Sequence, residues 1–152
     1  MSQSSRAERT RLRVSRTLPA SRERLFAAWT EPAELRRWWG PRGFTTPSAE
    51  IDLRAGGAFR IVMRSAEGKL SLLTGSYLEV TPPERLVYTW QFDGGETTLV
   101  TVEFHDRVGA TEVVVTHERF GSDEARRAHE RGWGLCLDRL DELLSAGPTR
   151  RT

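Results

Sequence analysis

Hydrophobic and polar positions divide the chain into a first strand, a short helical region, a long run of strands and a final helix. From Thr10 to Leu18 the pattern alternates, which is typical of a half-buried strand. One face of this strand holds Leu12, Val14, Arg16 and Leu18. The sequence therefore predicts a strand that opens the folded part of the chain.

Two short helices are predicted next. Ser21 is a favourable N-cap for a helix over residues Arg22–Trp29. A second helix starts around Pro32, at a position where the missing proline N–H leaves no helical hydrogen bond unmade. The apolar residues expected to face inward are Leu25, Phe26, Trp29, Leu35 and Trp38, and the second helix should stop at Trp39-Gly40-Pro41.

The middle of the chain changes to a strand pattern, broken by glycine- and proline-rich turns. Six short strands in succession, joined by tight turns, favour an antiparallel meander. The predicted strands are Ser48–Leu53, Ala58–Arg64, Leu70–Val80, Leu86–Phe92, Thr97–Asp106 and Thr111–Phe120.

The last element is a long helix that begins after Ser122 and runs to about Ser145. Its apolar stripe at helical spacing contains His129, Trp133, Cys136, Leu137, Leu140 and Leu144. One helix can cover one face of a sheet, so we expect the sheet to curl around it. The prediction is an α+β domain over residues 10–146, with a disordered basic tail at 1–9 and a C-terminal tail at 147–152.

Polar-tipped aromatics among the inward positions allow two interpretations. They would face either an apolar cavity with a few orienting groups or an ordinary aromatic core. Two glycines beside Trp133, Gly132 and Gly134, weaken the helix by ~1 kcal/mol each relative to alanine. Close backbone approach, space for a guest or a bend in the helix would each compensate, and the sequence does not choose among them.

Composition narrows the class of protein. Of the 152 residues, 38% are hydrophobic and 29% charged, and no stretch approaches the ~20 apolar residues of a membrane span. The single cysteine, Cys136, excludes an internal disulfide and suits a reducing cytoplasm. Residues 1–24 hold seven arginines against two glutamates, a net charge of +5. No aromatic residue interleaves these arginines, so we interpret the leader as a solvated tail and expect no nucleic-acid partner.

An ordered series of motifs spans residues 12 to 144 and resembles the family named for homology to the activator of heat shock protein 90 ATPase. The matching segments lie at Pro19–Pro32, Leu35–Pro41, Asp52–Arg60, Gly75–Leu86 and Gly132–Leu140. This family belongs to the START-like, or polyketide cyclase-like, superfamily. The resemblance implies a helix-grip fold, in which a curved antiparallel sheet grips a C-terminal helix over a hydrophobic pocket. It implies no shared chemistry, because the superfamily hosts binders, cyclases and chaperone regulators.

Catalytic and metal sites find little support in the sequence. His117 shares the parity of Val113 and Val115, so it is a candidate general base, although a structural histidine is the more common case. Cys136 and His129 lie two helical turns apart, ~10 Å, too far for a thiolate–imidazole pair. The histidines and the cysteine lack metal-ligand spacing, so we expect no metal and no cofactor.

We therefore expect a cytoplasmic protein that binds a lipid- or polyketide-like small molecule between sheet and helix without obligatory catalysis. The predicted binding residues are Trp39, Phe59, Met63, Tyr88, Trp90, Phe104, His117, Trp133 and Leu137. Two alternatives stay open: a module that regulates a chaperone ATPase, which is less favoured in a one-domain chain, and a cyclase- or hydrolase-type enzyme that uses His117. A homodimer is compatible with the family resemblance.

Overall fold

The computed structural model describes residues 10–146, and the tails predicted at 1–9 and 147–152 lie outside this range. Seven strands and three helices follow one another along the chain. In order they are β1 (Arg11–Leu18), α1 (Arg22–Thr30), α2 (Pro32–Leu35), β2 (Thr45–Ile51), β3 (Ala58–Arg64), β4 (Leu70–Thr81), β5 (Arg85–Phe92), β6 (Thr97–Arg107), β7 (Ala110–Glu118) and α3 (Asp123–Ala146).

The strands form one antiparallel sheet in the order β1-β7-β6-β5-β4-β3-β2. Strands β2 to β7 are a meander in which each strand pairs with its neighbour in sequence. Strand β1 instead pairs with β7, with Arg11 opposite Glu118 and Leu18 opposite Thr111. The predicted α+β helix-grip fold, with two short helices after the first strand and a long C-terminal helix, is confirmed.

Two elements differ from the prediction by three or more residues at one end. Helix α2 ends at Leu35, because the next amides form a tighter turn in which Arg37 N–H donates to Glu34 O at 3.1 Å. Strand β2 starts at Thr45 and ends at Ile51, earlier than the predicted Ser48–Leu53. It contains Pro47, which an edge strand tolerates because one of its sides has no hydrogen-bonded neighbour.

The core lies on the concave face of the sheet, beneath α3 and the two short helices. The predicted inward residues of β3 and β6 are buried: Phe59, Ile61, Met63, Val100, Val102 and Phe104. On α3, the buried stripe contains Trp133, Cys136, Leu137 and Leu140. An ion pair between Arg16 Nη1 and Asp138 Oδ1, 2.7 Å apart, fixes the helix against β1.

Along β5 the inward residues become steadily more exposed towards the end of the strand. Leu86 and Tyr88 are buried, Trp90 is half-buried and Phe92 is 36% exposed. The end of β5 is therefore where the interior opens to the surface. Within residues 10–146, no helix is both long and apolar enough to cross a membrane.

Candidate functional site

A cavity of about 210 Å³ lies between the first half of α3, the ends of β3 and β5, and the segment of residues 39–44 that joins α2 to β2. We call residues 39–44 the mouth segment. The cavity walls are almost entirely apolar and aromatic. They comprise Trp39, Gly40, Pro41, Phe44, Met63, Trp90, Phe92, Ala128, His129, Gly132, Trp133 and Cys136.

Gly132 provides part of this space. A Cβ atom built on Gly132 would find no neighbouring heavy atom within 4 Å outside the backbone of its own helix turns, and the residue lines the cavity. Close approach of the helix backbone to the sheet is therefore not the reason for this glycine. Gly134 has equally open surroundings but does not line the cavity. Of the three explanations left open by the sequence, space beside the helix fits Gly132.

The mouth segment takes its shape from Gly40, whose φ of +91° lies in the left-handed region that glycine favours. A Cβ at this position would also lie 3.1 Å from Phe44 Cβ and 3.2 Å from Met63 Cε. The glycine thus lets the segment turn back and pack on the end of β3. This close packing forms the cavity wall opposite α3.

Arg139 on α3 holds the mouth segment in place. Its Nη1 atom lies 3.0–3.3 Å from the carbonyl oxygens of Trp39, Gly40, Pro41 and Phe44. The positive charge is thereby surrounded by backbone dipoles, and charge-assisted hydrogen bonds are among the stronger ones in proteins. Arg42 and Glu142 add an ion pair between the same segment and the same helix.

Three indole rings form the aromatic side of the cavity. The ring centroids of Trp90 and Trp133 are 5.4 Å apart, and those of Trp39 and Trp133 are 5.8 Å apart in an edge-to-face arrangement. Trp39 and Trp90 approach to 6.1 Å. These distances are typical of favourable aromatic pairs, so the rings support one another around an open space.

His117 lies beneath this wall as the centre of a hydrogen-bond chain. The Trp133 indole N–H donates to His117 Nδ1 at 3.1 Å, so His117 carries its proton on Nε2. His117 Nε2 then donates to Thr98 Oγ1 at 2.7 Å, and the Thr98 hydroxyl donates to the Trp90 carbonyl at 3.3 Å. Every polar atom of the neutral imidazole is therefore satisfied by the protein.

Burial keeps this imidazole neutral. Desolvation, together with the nearby His129, lowers the pKa of His117 from 6.5 to about 2. The side chain has no exposed surface and is not part of the cavity wall. Its lone pair at Nδ1 is already used by Trp133, so the geometry gives His117 a structural role and no free base for a substrate.

The other titratable groups at the cavity are His129 and Cys136. His129 Nδ1 lies 2.8 Å from the Ala125 carbonyl oxygen, which can only accept a hydrogen bond. Burial raises the pKa of the Cys136 thiol to about 12, so the thiol stays protonated. No group of three or more histidine, cysteine, aspartate or glutamate side chains in residues 10–146 converges as a metal site would require.

The structure distributes the nine predicted binding residues over three environments. Trp39, Met63, Trp90 and Trp133 line the cavity. Phe59 and Tyr88 lie behind Trp39, around a second void of only about 10 Å³. The remaining three, Phe104, His117 and Leu137, are fully buried in the packed core.

The mouth segment is the part of the wall that the list of predicted binding residues largely missed, since of its members only Trp39 was included. The list also left out Phe92, Ala128, His129, Gly132 and Cys136. Four of these residues had a signal in the sequence. Phe92 lies on the inward face of β5, His129 and Cys136 lie on the apolar stripe of α3, and Gly132 belongs to the pair of helix glycines. Gly40, Pro41 and Phe44 follow a helix end, where periodicity gives no side-chain direction.

Trp90 leaves one polar atom unexplained. Its indole N–H is buried and has no hydrogen-bond acceptor among the described residues. Tyr88, by contrast, accepts a hydrogen bond from Trp29 Nε1 at 3.3 Å, and the pKa of its buried hydroxyl is raised by desolvation. Among the buried polar tips of these aromatic side chains, those of Tyr88, His117 and Trp133 therefore have partners and that of Trp90 has none among the described residues.

Comparison with known proteins identifies relatives over almost the whole chain. Residues 19–145 match the family described as Activator of Hsp90 ATPase homolog 1-like protein. A comparison with curated proteins finds no match. Among solved structures, a protein of Rhodobacter sphaeroides is 32% identical, with a TM-score of 0.80 over 91% of this chain and 94% of that chain. The AHSA1 protein of Silicibacter pomeroyi is 31% identical, with a TM-score of 0.81 over 89% and 97%.

Proposed function

The chain belongs to the Activator of Hsp90 ATPase homolog 1-like family, and we propose that it binds a hydrophobic or aromatic small molecule in the cavity between the sheet and α3. Binding requires no chemical step, so the proposal is a receptor or carrier rather than an enzyme. The alternative enzyme would depend on His117, whose ring nitrogens are both engaged in hydrogen bonds within the protein.

The observation that supports binding is the apolar cavity of about 210 Å³ beside Gly132. An apolar cavity of about 150 Å³ is large enough to hold benzene. A partly open apolar space of this size, beside a glycine that weakens the helix, suits an apolar occupant. Burial of apolar ligand surface, at roughly 25 cal/mol per Å², supplies the affinity.

The direct test is to fill the cavity from the helix. A Gly132→Leu variant places its side chain into the cavity, whereas Gly134→Leu makes the same change on the same helix outside it. Each protein is incubated with a panel of apolar and aromatic compounds and measured by native mass spectrometry. We expect adducts on the wild type and on Gly134→Leu but not on Gly132→Leu.

Two results would count against this function. One is a wild type that retains no compound from the whole panel, and the other is equal retention by Gly132→Leu and the wild type. The alternative of a chaperone-regulating module stays a prediction, which a chaperone ATPase assay with and without the protein tests directly. The homodimer that the family resemblance allows is tested by measuring the mass of the protein in solution.

A further inference from the structure

We propose that the cavity selects a neutral, flat aromatic molecule of one or two rings that donates one hydrogen bond to Nε2 of His129. This inference rests on the proposed function and specifies the chemical class of the ligand. It replaces the broad expectation of a lipid- or polyketide-like molecule with a smaller one, such as a phenol or naphthol.

Cavity size sets how much of a ligand the walls can enclose. A volume of about 210 Å³ lies above the ~150 Å³ that holds benzene and below the ~300 Å³ at which sites for drug-sized ligands begin. A multi-ring polyketide or a long acyl chain would therefore extend out of the cavity into solvent. A bicyclic aromatic is of a size that the walls can enclose.

The arrangement of the walls favours a flat molecule. The Trp39 and Trp133 rings are nearly perpendicular, with an interplanar angle of 86°, so a planar guest can meet one ring face to face and the other edge to face. Met63 and Cys136 add two polarisable sulfur atoms to the wall, and sulfur–aromatic contacts are favourable. Aromatic ligands gain from these contacts beyond simple burial.

Charge considerations favour a neutral ligand. None of the cavity-lining residues is an aspartate, glutamate, lysine or arginine, so beside a neutral His129 a buried charge would have no counterion. The two arginines near the wall are both engaged elsewhere: Arg139 Nη1 faces four carbonyl oxygens of the mouth segment, and Arg42 pairs with Glu142. The Cys136 thiol stays protonated. A neutral guest is therefore the one that this wall accommodates.

His129 supplies the polar contact. Because Nδ1 must donate to the Ala125 carbonyl, the neutral ring leaves a lone pair on Nε2. The Trp133 N–H is already bonded to His117, and the Trp90 N–H, which has no acceptor among the described residues, has almost no accessible surface through which a ligand could reach it. The cavity thus presents an acceptor, and its complement is a ligand with one O–H or N–H donor.

The test compares 2-naphthol with 2-methylnaphthalene, which has nearly the same shape but no donor. Dissociation constants for both compounds are measured by titration calorimetry on the wild type and on His129→Phe, which keeps a planar ring and removes the acceptor. The quantity of interest is the ratio of the two constants in each protein. One hydrogen bond makes this ratio favour 2-naphthol about 3- to 10-fold more in the wild type than in His129→Phe.

A second measurement needs no variant. Nitrogen NMR of the wild-type imidazole should show the Nε2 resonance of His129 moving when 2-naphthol is added, and moving much less with 2-methylnaphthalene. An equal ratio in both proteins together with an unmoved Nε2 resonance would overturn the donor assignment. If the donor assignment fails but both compounds bind the wild type and not Gly132→Leu, the proposed function, binding in this cavity, is still supported. If neither compound binds the wild type, while larger apolar compounds do, the size argument fails as well.

Discussion

The indole N–H of Trp133 on α3 donates to Nδ1 of His117 on β7, and this single 3.1 Å bond determines which imidazole nitrogen carries the proton. It also joins the long helix to the sheet directly beneath the cavity. His117 in turn donates a hydrogen bond from Nε2 to the hydroxyl of Thr98 on β6. The aromatic wall is therefore positioned by a buried polar chain as well as by ring packing.

Because His117 is buried in its uncharged form, we expect the native protein to lose stability in mild acid. In the unfolded chain its imidazole titrates near 6.5, whereas in the native protein its pKa is lowered to about 2. Below pH 6.5 the unfolded state therefore binds a proton that the native state does not. The free energy of unfolding should fall with falling pH, by at most about 1.4 kcal/mol per pH unit from this residue, and level off above 6.5.

Urea unfolding of the wild type and of His117→Gln, between about pH 5 and pH 7, measures this contribution. Glutamine offers one acceptor and donors without titrating, so the variant should show a shallower dependence on pH. Parallel pH profiles for the two proteins would contradict the assignment of a neutral, buried His117.

Alanine substitutions at the two helix glycines should both stabilise the protein but should differ in their effect on ligand binding. Alanine at Gly132 or Gly134 meets no neighbouring atom within 4 Å, so each change should raise the free energy of unfolding by ~1 kcal/mol through helix propensity. This corresponds to roughly 3–5 °C in Tm. Thermal unfolding checks the gain. Only Gly132→Ala should also weaken binding of a bicyclic aromatic, and equal weakening by both would contradict the cavity assignment.

Replacing Arg139 should make the mouth segment more mobile without unfolding the protein. Arg139→Gln takes away the charge that faces four carbonyl oxygens, and we expect a loss of about 1.5–3 kcal/mol of stability. Amide hydrogen exchange should accelerate most in residues 39–44. Arg131→Gln, an exposed position on the same helix, is the control. Unchanged exchange in the mouth segment would show that Arg139 does not hold it.

Cys136 should be nearly inert towards thiol reagents in the native protein. Burial raises the pKa of its thiol to about 12, and Sγ lies 3.8 Å from the Trp38 carbonyl oxygen. Reaction with a disulfide reagent at mildly alkaline pH should be at least ~100-fold slower in the native protein than in the urea-unfolded chain. Similar rates in both states would mean that the thiol is open to solvent.

Most of the fold follows from sequence periodicity because most of the strands and the long helix have one apolar face. Alternation located six of the seven strands to within two residues at either end, and the stripe through Trp133 and Leu140 located α3. The exception is β2, where Pro47 and a register shift between Thr45 and Ser48 obscure the alternation. An edge strand allows both features, but its edge position is known only once the sheet is assembled.

The candidate site was less accessible to prediction. Strand parity shows that Phe104 and His117 face inward, but it does not tell whether an inward side chain meets the cavity or the packed core. The mouth segment depends on the positive φ of Gly40 and on Arg139, about a hundred residues away in sequence. Such a contact follows from the three-dimensional arrangement and leaves no periodic signal. The unexplained glycine at 132 was the feature that pointed to open space.

The pairing of β1 with β7 affects how this chain is made. Arg11 lies opposite Glu118, so a ribosome synthesises the first strand about a hundred residues before its partner. The meander from β2 onwards can form from local strand pairs as it emerges from the ribosome, whereas β1 stays unpaired until β7 has been synthesised. Three arginines in β1, at 11, 13 and 16, put charge along an edge that would otherwise invite association with other nascent chains.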